Sequence, residues 1–386
     1  MYNNETLANS TRIIFLRHGQ STYNEQKLYQ GCCDESLLNQ KGRIQADRSG
    51  KFLSNIPIDA IYVSPLQRTQ ETAQQILKII NTTTNYTPKL KLDQNLKEID
   101  LPGWQGLSFK YVRENLAEDY RVWEEKPHEF IMETVTLSGS ILAKTPTKPV
   151  LELYKKAEQF WQNILPNHPN ETILIVSHGG TIRALIGTAL GINSSQFHTF
   201  QQSNCGISIL NFQNSKLAKK TESTKLEAVN ITQHLDEILP KLKNGKHGLR
   251  LLLLPVNPEK NHLEEISNFL KDVEFNFCIS SDTNEVQKIT KVLIKSDTNP
   301  VVNLQLSHQD FSSLWHQTIS NQNPNIATLS TGIVIADTKT IQSVLNQILQ
   351  LETNSQQLDI QPNKISILFY PKSHNQPIIQ AINICK

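Results

Sequence analysis

The sequence predicts an α/β fold: a three-layer, mostly parallel sheet with helices on both faces, followed by a smaller degenerate copy of the same fold. Three observations predict it. Short apolar runs rich in β-branched residues (IIFL, AIYVS, ILIVS) read as buried strands. Stretches with helical spacing separate them, and alternation of this kind asks for a sheet covered by helices. The third observation is that the apolar phrases of the N-terminal half return, in order, in the C-terminal half.

Element by element, RIIFLRHG (residues 12–19) supplies the first strand. NQKGRIQADRSGKFLSNI follows as a helix that Asn39 can cap. AIYVS is the next strand, and PLQRTQETAQQILKII the helix after it. Residues 126–149, with three prolines and little periodicity, are expected to form an insertion over one face. VLELYKKAEQFWQNILPNH is helical to about Pro166, and ILIVSHGG is a strand running into a helix near Thr181. After GISILNFQ, the polar NSKLAKKTEST reads as a turn or surface loop, and KLEAVNIT as one more strand. PKLKNGKHG, residues 240–248, has the Lys, Pro and Gly content of a linker.

Past that linker the repeat can be aligned. RIIFLRHG matches RLLLLPVN, which places Pro255 at Arg17 and Val256 at His18. IYVSPLQR matches FCISSDTN, with Asn284 at Arg68. ILIVSH matches GIVIAD, with Asp337 at His178, and GISILNF matches KISILFY. The second copy keeps apolar strands and lacks the polar residues at their ends.

Bulk properties narrow the classes. At 386 residues the chain is expected to hold two domains. Hydrophobic content of 38% with 19% charged residues is globular. A net charge of +2 gives no reason to expect nucleic acid or an acidic membrane as partner. No apolar run approaches the ~20 residues that span a bilayer, and the polar N-terminus MYNNETLANSTR lacks a signal's apolar core. Five cysteines without CxxC spacing fit a reducing, cytoplasmic location. Cys32 and Cys33 are adjacent, but no second pair supports a metal site.

Ligand groups in open α/β sheets gather beyond the carboxyl ends of strands. Arg17 and His18 follow IIFL, Arg68 follows IYVS by one short turn, and His178 follows ILIV with Gly179 and Gly180 behind it. Glu98 lies in the loop-like LKEIDLPGWQG. Singly, each has an ordinary structural reading as a surface or packing residue. Jointly they suit a phosphoryl group. Two guanidinium forks neutralise a dianion, and a neutral imidazole is a competent nucleophile. A second histidine donates to the transferring oxygens, and a carboxyl group can protonate the leaving alkoxide. Glycines after the histidines let backbone amides approach the anion.

FLRHGQSTYN, VSPLQRTQETA, LKEIDLPGWQG and IVSHGG together resemble the histidine phosphatase superfamily, also called phosphoglycerate mutase-like, over roughly residues 11–235. The resemblance implies that His18 is phosphorylated during turnover and that Arg17, Arg68 and His178 complete a phosphate pocket. Asn24 would be a further phosphate contact, Glu98 the acid of the phosphatase branch, and Gly179 a backbone donor. It implies neither metal nor nucleotide as cofactor, and a small phosphorylated metabolite as partner, with a homo-oligomer left open. Trp104-Gln105-Gly106 replaces the family's W-E-G, and LSGSILAKTP replaces its P-G-G-E-S-like segment, so no substrate carries over. The repeat and QQSNCGISIL are similar to tandem-domain members of photosynthetic lineages, among them phosphatases of carboxyarabinitol 1-phosphate. On this reading residues 1–239 form a catalytic domain, 240–248 a linker and 249–386 a degenerate, inactive phosphatase-like domain. The expected activity is phosphomonoester hydrolysis. A phosphoglycerate mutase-type phosphotransferase and a non-catalytic phosphate-binding regulator are the alternatives. His168, His198, His308 and His316 have no companion motif and are expected to pack or face solvent.

Overall fold

The central strands of the first half, at residues 13–16, 60–63 and 173–176, are runs of buried residues that cannot face water on either side, so helices must cover both faces. A computed structural model describes residues 9–83, 87–138, 141–213, 223–242, 247–257, 263–293, 302–306, 311, 315, 328–372 and 376–385. The chain divides into two compact units. The first comprises residues 1–198, 202–226 and 234–236, and the second residues 199–201, 227–233 and 237–386. Residues 199–201, 227–233 and 237–239, expected with the first domain, thus group with the second. Of the expected linker, residues 243–246 lie outside the described residues.

In the first unit, β1 (Ser10–Arg17) leads through α1 (Thr22–Gln26) and α2 (Gln40–Leu53) to β2 (Ala60–Val63). Next come α3 (Gln67–Thr83), β3 (Lys89–Leu92), α4 (Phe109–Asn115) and α5 (Ala117–Glu125). A ribbon of β4 (Met132–Ser138) and β5 (Ile141–Thr147) precedes α6 (Pro149–Ile164), β6 (Thr172–Ser177), α7 (Gly179–Leu190) and β7 (Ile207–Gln213). β8 (Thr224–Ile231) starts in this unit and finishes in the other.

The strand order is β3-β2-β6-β1-β7. All these neighbours are parallel except β7, which is antiparallel to β1. Ile13–Leu16 and Ile173–Val176 have no exposed surface and form the centre of the core. α2 packs on α3 and α6 on α7. Asn39 caps α2 by accepting from Gly42 N. Phe160 and Trp161 of α6 are buried, as their spacing predicts.

The expected insertion differs from the sequence reading. Residues 132–147 pair as a two-stranded antiparallel ribbon, Met132 opposite Thr147. Proline counts against a central strand, but both strands of a two-stranded ribbon are edges, where it is tolerated.

The second unit contains β9 (Gly248–Val256), α8 (Leu263–Leu270), β10 (Phe277–Ser281) and α9 (Asn284–Leu293). It continues with β11 (Val302–Leu306), β12 (Leu329–Asp337), α10 (Thr338–Ile348), β13 (Ile365–Pro371) and β14 (Ile378–Ile384). Its order, β11-β10-β12-β9-β13, has the same connectivity and strand directions as the first. Registers agree as well: Arg17 lies opposite Ser177 as Pro255 lies opposite Ala336. Ile13 opposite Leu210 corresponds to Leu251 opposite Leu368. At β10 the register moves by one residue, because Phe277 faces Gly332 where the sequence alignment would put Ile333. The Phe277 ring occupies the space that a side chain on Gly332 would need.

Candidate active site

Main-chain continuation of β1 places His18 beyond the strand, where its N–H donates to Ser177 O at 2.9 Å. The ring is 2% exposed. Its Nδ1 lies 2.8 Å from Gly19 O. A carbonyl can only accept, so Nδ1 carries the proton and Nε2 keeps its lone pair when the ring is neutral. Burial first, then the Arg17 and Arg68 charges, hold its pKa well below 6.5. His18 is therefore uncharged near pH 7, with its lone pair on Nε2.

His178 approaches it from the end of β6, with ring centroids 5.2 Å apart. Its Nε2 sits 2.8 Å from Ser64 Oγ at the end of β2. With the serine proton on Nε2, the ring proton resides on Nδ1, which is buried and has no protein partner. In that tautomer Nδ1–H can donate to a phosphoryl oxygen. Burial, then Arg68, His18 and Arg17, also keeps His178 well below 6.5.

The two arginines are held from behind by carbonyls. Arg17 Nη1 donates to Gln202 O at 3.0 Å. Arg68, with no exposed surface, donates Nη1 to Cys33 O at 2.7 Å and Nη2 to Gly31 O at 2.9 Å. Gly31 has φ +52°, a left-handed conformation that glycine adopts at least cost. The Nε atoms of both arginines are buried without partners. Burial lowers Arg17 to about 10, with Glu98 opposing the shift, and lowers Arg68 in the same way. Both remain cations at neutral pH.

Glu98 is carried to this pocket by a loop and docks on the N-terminus of α7. Its carboxylate accepts from Gly180 N and Thr181 N, each at 3.2 Å. A helix N-terminus favours a carboxylate through its free amides and its dipole. Gly180 is needed there, since a Cβ would lie 2.5 Å from Glu98 Oε1. Cys32 Sγ donates to Glu98 O at 2.8 Å, and burial pushes that thiol up to about 12, which keeps it a donor. The three-residue loop 31–33 thus touches both Arg68 and Glu98.

Asn24 is joined to the site through Asn204, whose Nδ2 donates to Asn24 Oδ1 at 2.9 Å and to His18 O at 3.1 Å. Its side-chain oxygen being taken, its amide nitrogen is what remains for an anion. The backbone of Gly179 lies against the Arg17 side chain, where a Cβ would be 3.5 Å from Nε. The structure therefore brings Arg17, His18, Arg68, Glu98, His178 and Gly179 together, with Asn24 linked by one intermediary.

Sequence reasoning missed Ser64, Gln202, Asn204, the 31–33 loop and Arg183. Ser64 stood in the IYVS motif and Asn204 in QQSNCG, but only the folded chain shows what they touch. Arg183, on α7, lies over the Phe197 ring at 5.6 Å, and its charge acts on Arg17. Of the isolated histidines, His168 is buried between Tyr62 Oη (2.8 Å) and Glu171. His198 Nε2 donates to Trp123 O at 2.8 Å. His308 and His316 lie outside the described residues. Trp104 is 1% exposed and packs with Phe130 and Trp123. Among the described residues no cluster of three or more His, Cys, Asp or Glu could hold a metal, and no helix is long and apolar enough to cross a membrane.

Fold and site together define an α/β protein in which two neutral histidines and two guanidinium groups meet beyond the strand ends. Residues 13–223, more than half of the chain, match the histidine phosphatase superfamily (branch 1), and the chain belongs to that superfamily. It is 35% identical over 207 residues to a probable 2-carboxy-D-arabinitol-1-phosphatase of Arabidopsis thaliana, covering 54% of this chain and 39% of that one. The chain thus spans well under half the length of this relative. It is 30% identical over 226 residues to phosphoserine phosphatase 1 of Hydrogenobacter thermophilus, covering 58% of this chain and 95% of the relative. A solved phosphoserine phosphatase variant of Entamoeba histolytica with phosphoserine is 27% identical at a TM-score of 0.45, covering 58% of this chain and 99% of that one.

Proposed function

We propose that the chain is a phosphomonoesterase that hydrolyses a small phosphorylated metabolite through a phosphohistidine at His18. The observation that carries the reading is the His18 ring: Nδ1–H tied to Gly19 O leaves Nε2 free to attack, beside two guanidinium groups.

In the first step the Nε2 lone pair forms an N–P bond as the ester O–P bond breaks, and the alkoxide takes a proton from the Glu98 carboxyl. Arg17, Arg68 and the His178 Nδ1–H stabilise the charge on the transferring oxygens. In the second step Glu98 takes a proton from water, whose oxygen attacks phosphorus. The N–P bond breaks, and inorganic phosphate and neutral His18 result. The reading draws all its charge stabilisation from side chains and backbone amides and calls on no metal. Sugar phosphates, sugar-acid phosphates and phosphoserine-like esters are the candidate substrates, and relatives named for a sugar-acid phosphate and for phosphoserine support that choice.

The test is phosphate release from a panel of esters by the pure full chain and by His18→Ala. Undiminished hydrolysis by the variant rejects the mechanism. A phosphoglycerate mutase-type phosphotransferase is the second reading, favoured by a relative of that name at 31% identity. It predicts isomerised phosphoglycerate in place of inorganic phosphate. We read the second unit as a diverged, catalytically inactive relative of the first, on the strength of its matching strand order and of Val256, Asn284 and Asp337 in the sequence positions of His18, Arg68 and His178.

A further inference from the structure

The lone pair on His18 Nε2 depends on one carbonyl, Gly19 O, which receives Nδ1–H at 2.8 Å. What keeps that carbonyl aimed at the ring is α2. In a trans peptide the C=O and the N–H point in opposite directions, so a partner for the N–H fixes the carbonyl as well. The N–H on this peptide plane belongs to Gln20, and it donates to Gln45 Oε1 at 2.9 Å. A backbone N–H can only donate, so the Gln45 amide must turn its oxygen towards the peptide. α2 reaches residues 19 and 20 because backbone lies against backbone there. A Cβ on Gly42 would stand 2.1 Å from Gln20 O, and one on Gly19 would stand 2.5 Å from Gly42 O. Asn39, the cap of α2, gives its own N–H to Gln20 O at 3.1 Å. Gln45 follows Gly42 by three residues and so lies on the same side of the helix. On the other flank Gly19 N donates to Thr72 Oγ1 at 3.1 Å, and that hydroxyl donates to Arg68 O at 2.7 Å. The close approach demands glycine at 19, and glycine is also the residue whose peptides rotate most readily. Partners must remove that freedom, and Gln45 acts on the plane that carries the carbonyl.

We propose that Gln45 is a positioning residue for the nucleophile: it holds the Gly19–Gln20 peptide with its carbonyl facing His18 Nδ1, which commits the ring's lone pair to Nε2. Gln45 acts through the peptide rather than on the ester. An orienting third group of this kind accompanies many activated nucleophiles, and here a side-chain amide and a peptide share the part. Because His18 is neutral near pH 7, the peptide decides its tautomer and not its charge. Without the Gln45 oxygen, Gln20 N–H loses its partner, the carbonyl can turn away, and the ring is free to carry its proton on Nε2. That tautomer has its lone pair on Nδ1, towards the main chain, and cannot attack phosphorus. The effect on rate rests on the phosphomonoesterase reading, whereas the effect on the ring proton exists without turnover.

The experiment uses the full chain with Gln45→Leu, which lacks an acceptor, and Gln45→Glu, which keeps an oxygen at the same reach. Phosphate release from the ester panel gives kcat and KM. Nitrogen NMR of the histidine side chains in the resting protein gives the tautomer, the His18 signal being the one absent from His18→Ala. Gln45→Leu should lower kcat about tenfold, the weight of one net hydrogen bond, with KM and the binding of inorganic phosphate unchanged. In the same variant the His18 proton should move from Nδ1 towards Nε2. Gln45→Glu should recover the tautomer and most of kcat. Gln45→Lys, a donor on a side chain long enough to leave for solvent, should repeat the loss if Gln45→Leu does not fold. An unchanged kcat or an unchanged tautomer in the folded variant without an acceptor overturns the proposal, as does a loss carried by KM. So does a Gln45→Glu that behaves like Gln45→Leu, which marks a packing role. If wild type hydrolyses none of the esters yet the His18 tautomer follows Gln45, the phosphomonoesterase reading fails and the positioning role stands.

Discussion

The helices after β6 and β12 begin alike in sequence position and use their first turns differently. α7 starts behind His178, which makes no side-chain cap. Its Gly180 and Thr181 amides go to Glu98, a residue more than eighty positions away. α10 starts behind Asp337, which caps the helix itself by accepting from Thr340 N at 3.0 Å. One helix end receives a distant acid, and the other is closed locally. The strands beneath do not register the difference: Ile13–Leu16 and Leu251–Leu254 are equally buried, none more than 1% exposed. Burial of apolar strands thus builds the sheet, and the few polar residues past the strand ends are free to vary.

That contrast can be broken most decisively at the nucleophile. His18→Ala should lower phosphate release by four or more orders of magnitude, a size seen when a covalent nucleophile is lost (roughly 10⁶-fold in one studied protease). Adding Val256→His to that variant should restore nothing, because Pro255 and Asn284 stand in the sequence positions of Arg17 and Arg68; measurable rescue would mean the second unit retains a working pocket. Arg68→Gln should cost roughly 10²–10³ in kcat, read by single-turnover kinetics, while Asn284→Gln should leave kcat alone. Gly180→Ala, which drives a Cβ into Glu98, should lower kcat by about ten-fold or more, within the range of a displaced general acid. Lys339→Ala at the matching place on α10 should be silent.

Acid should act through the first unit. Folded His18, His178 and His234 all titrate below 6.5, His234 at about 4 through burial. Below 6.5 the unfolded chain takes up these protons first. Their contribution is therefore complete above pH 6.5 and is lost as pH falls from there towards the folded values. For His234 the loss is on the order of 2 kcal/mol after allowing for its partial exposure. Urea unfolding of wild type and His234→Gln between pH 7 and 4 checks it; parallel curves would refute the assignment. Smallest of all, Asp337→Ala should cost about 1 kcal/mol, the worth of a helix cap, with hydrolysis unchanged. A drop in kcat from that substitution would show that the second unit does serve catalysis.

Much of this architecture was legible in the letters. Apolar runs and helical spacing marked the strands and helices, Asn39 announced its cap, and the strand-end positions of Arg17, His18 and His178 followed from where IIFL and ILIV stop. The ribbon at 132–147 was not legible, because edge strands carry prolines that a central strand would reject. Nor was the one-residue shift at β10, which follows from the Phe277 ring against Gly332.

What the sequence by itself determined is the periodic part: which residues must be buried, and hence where strands end and which side chains emerge there. Only the tertiary structure decided the partners. Arg68 is held by carbonyls some 35 residues upstream, His178 by a hydroxyl 114 positions away, and Glu98 by amides beyond position 179. Burial is a property of a residue and its near neighbours, so a short pattern encodes it. A hydrogen bond needs a donor and an acceptor at a set distance and angle, and for groups so far apart in the chain that geometry exists only once the sheet has formed.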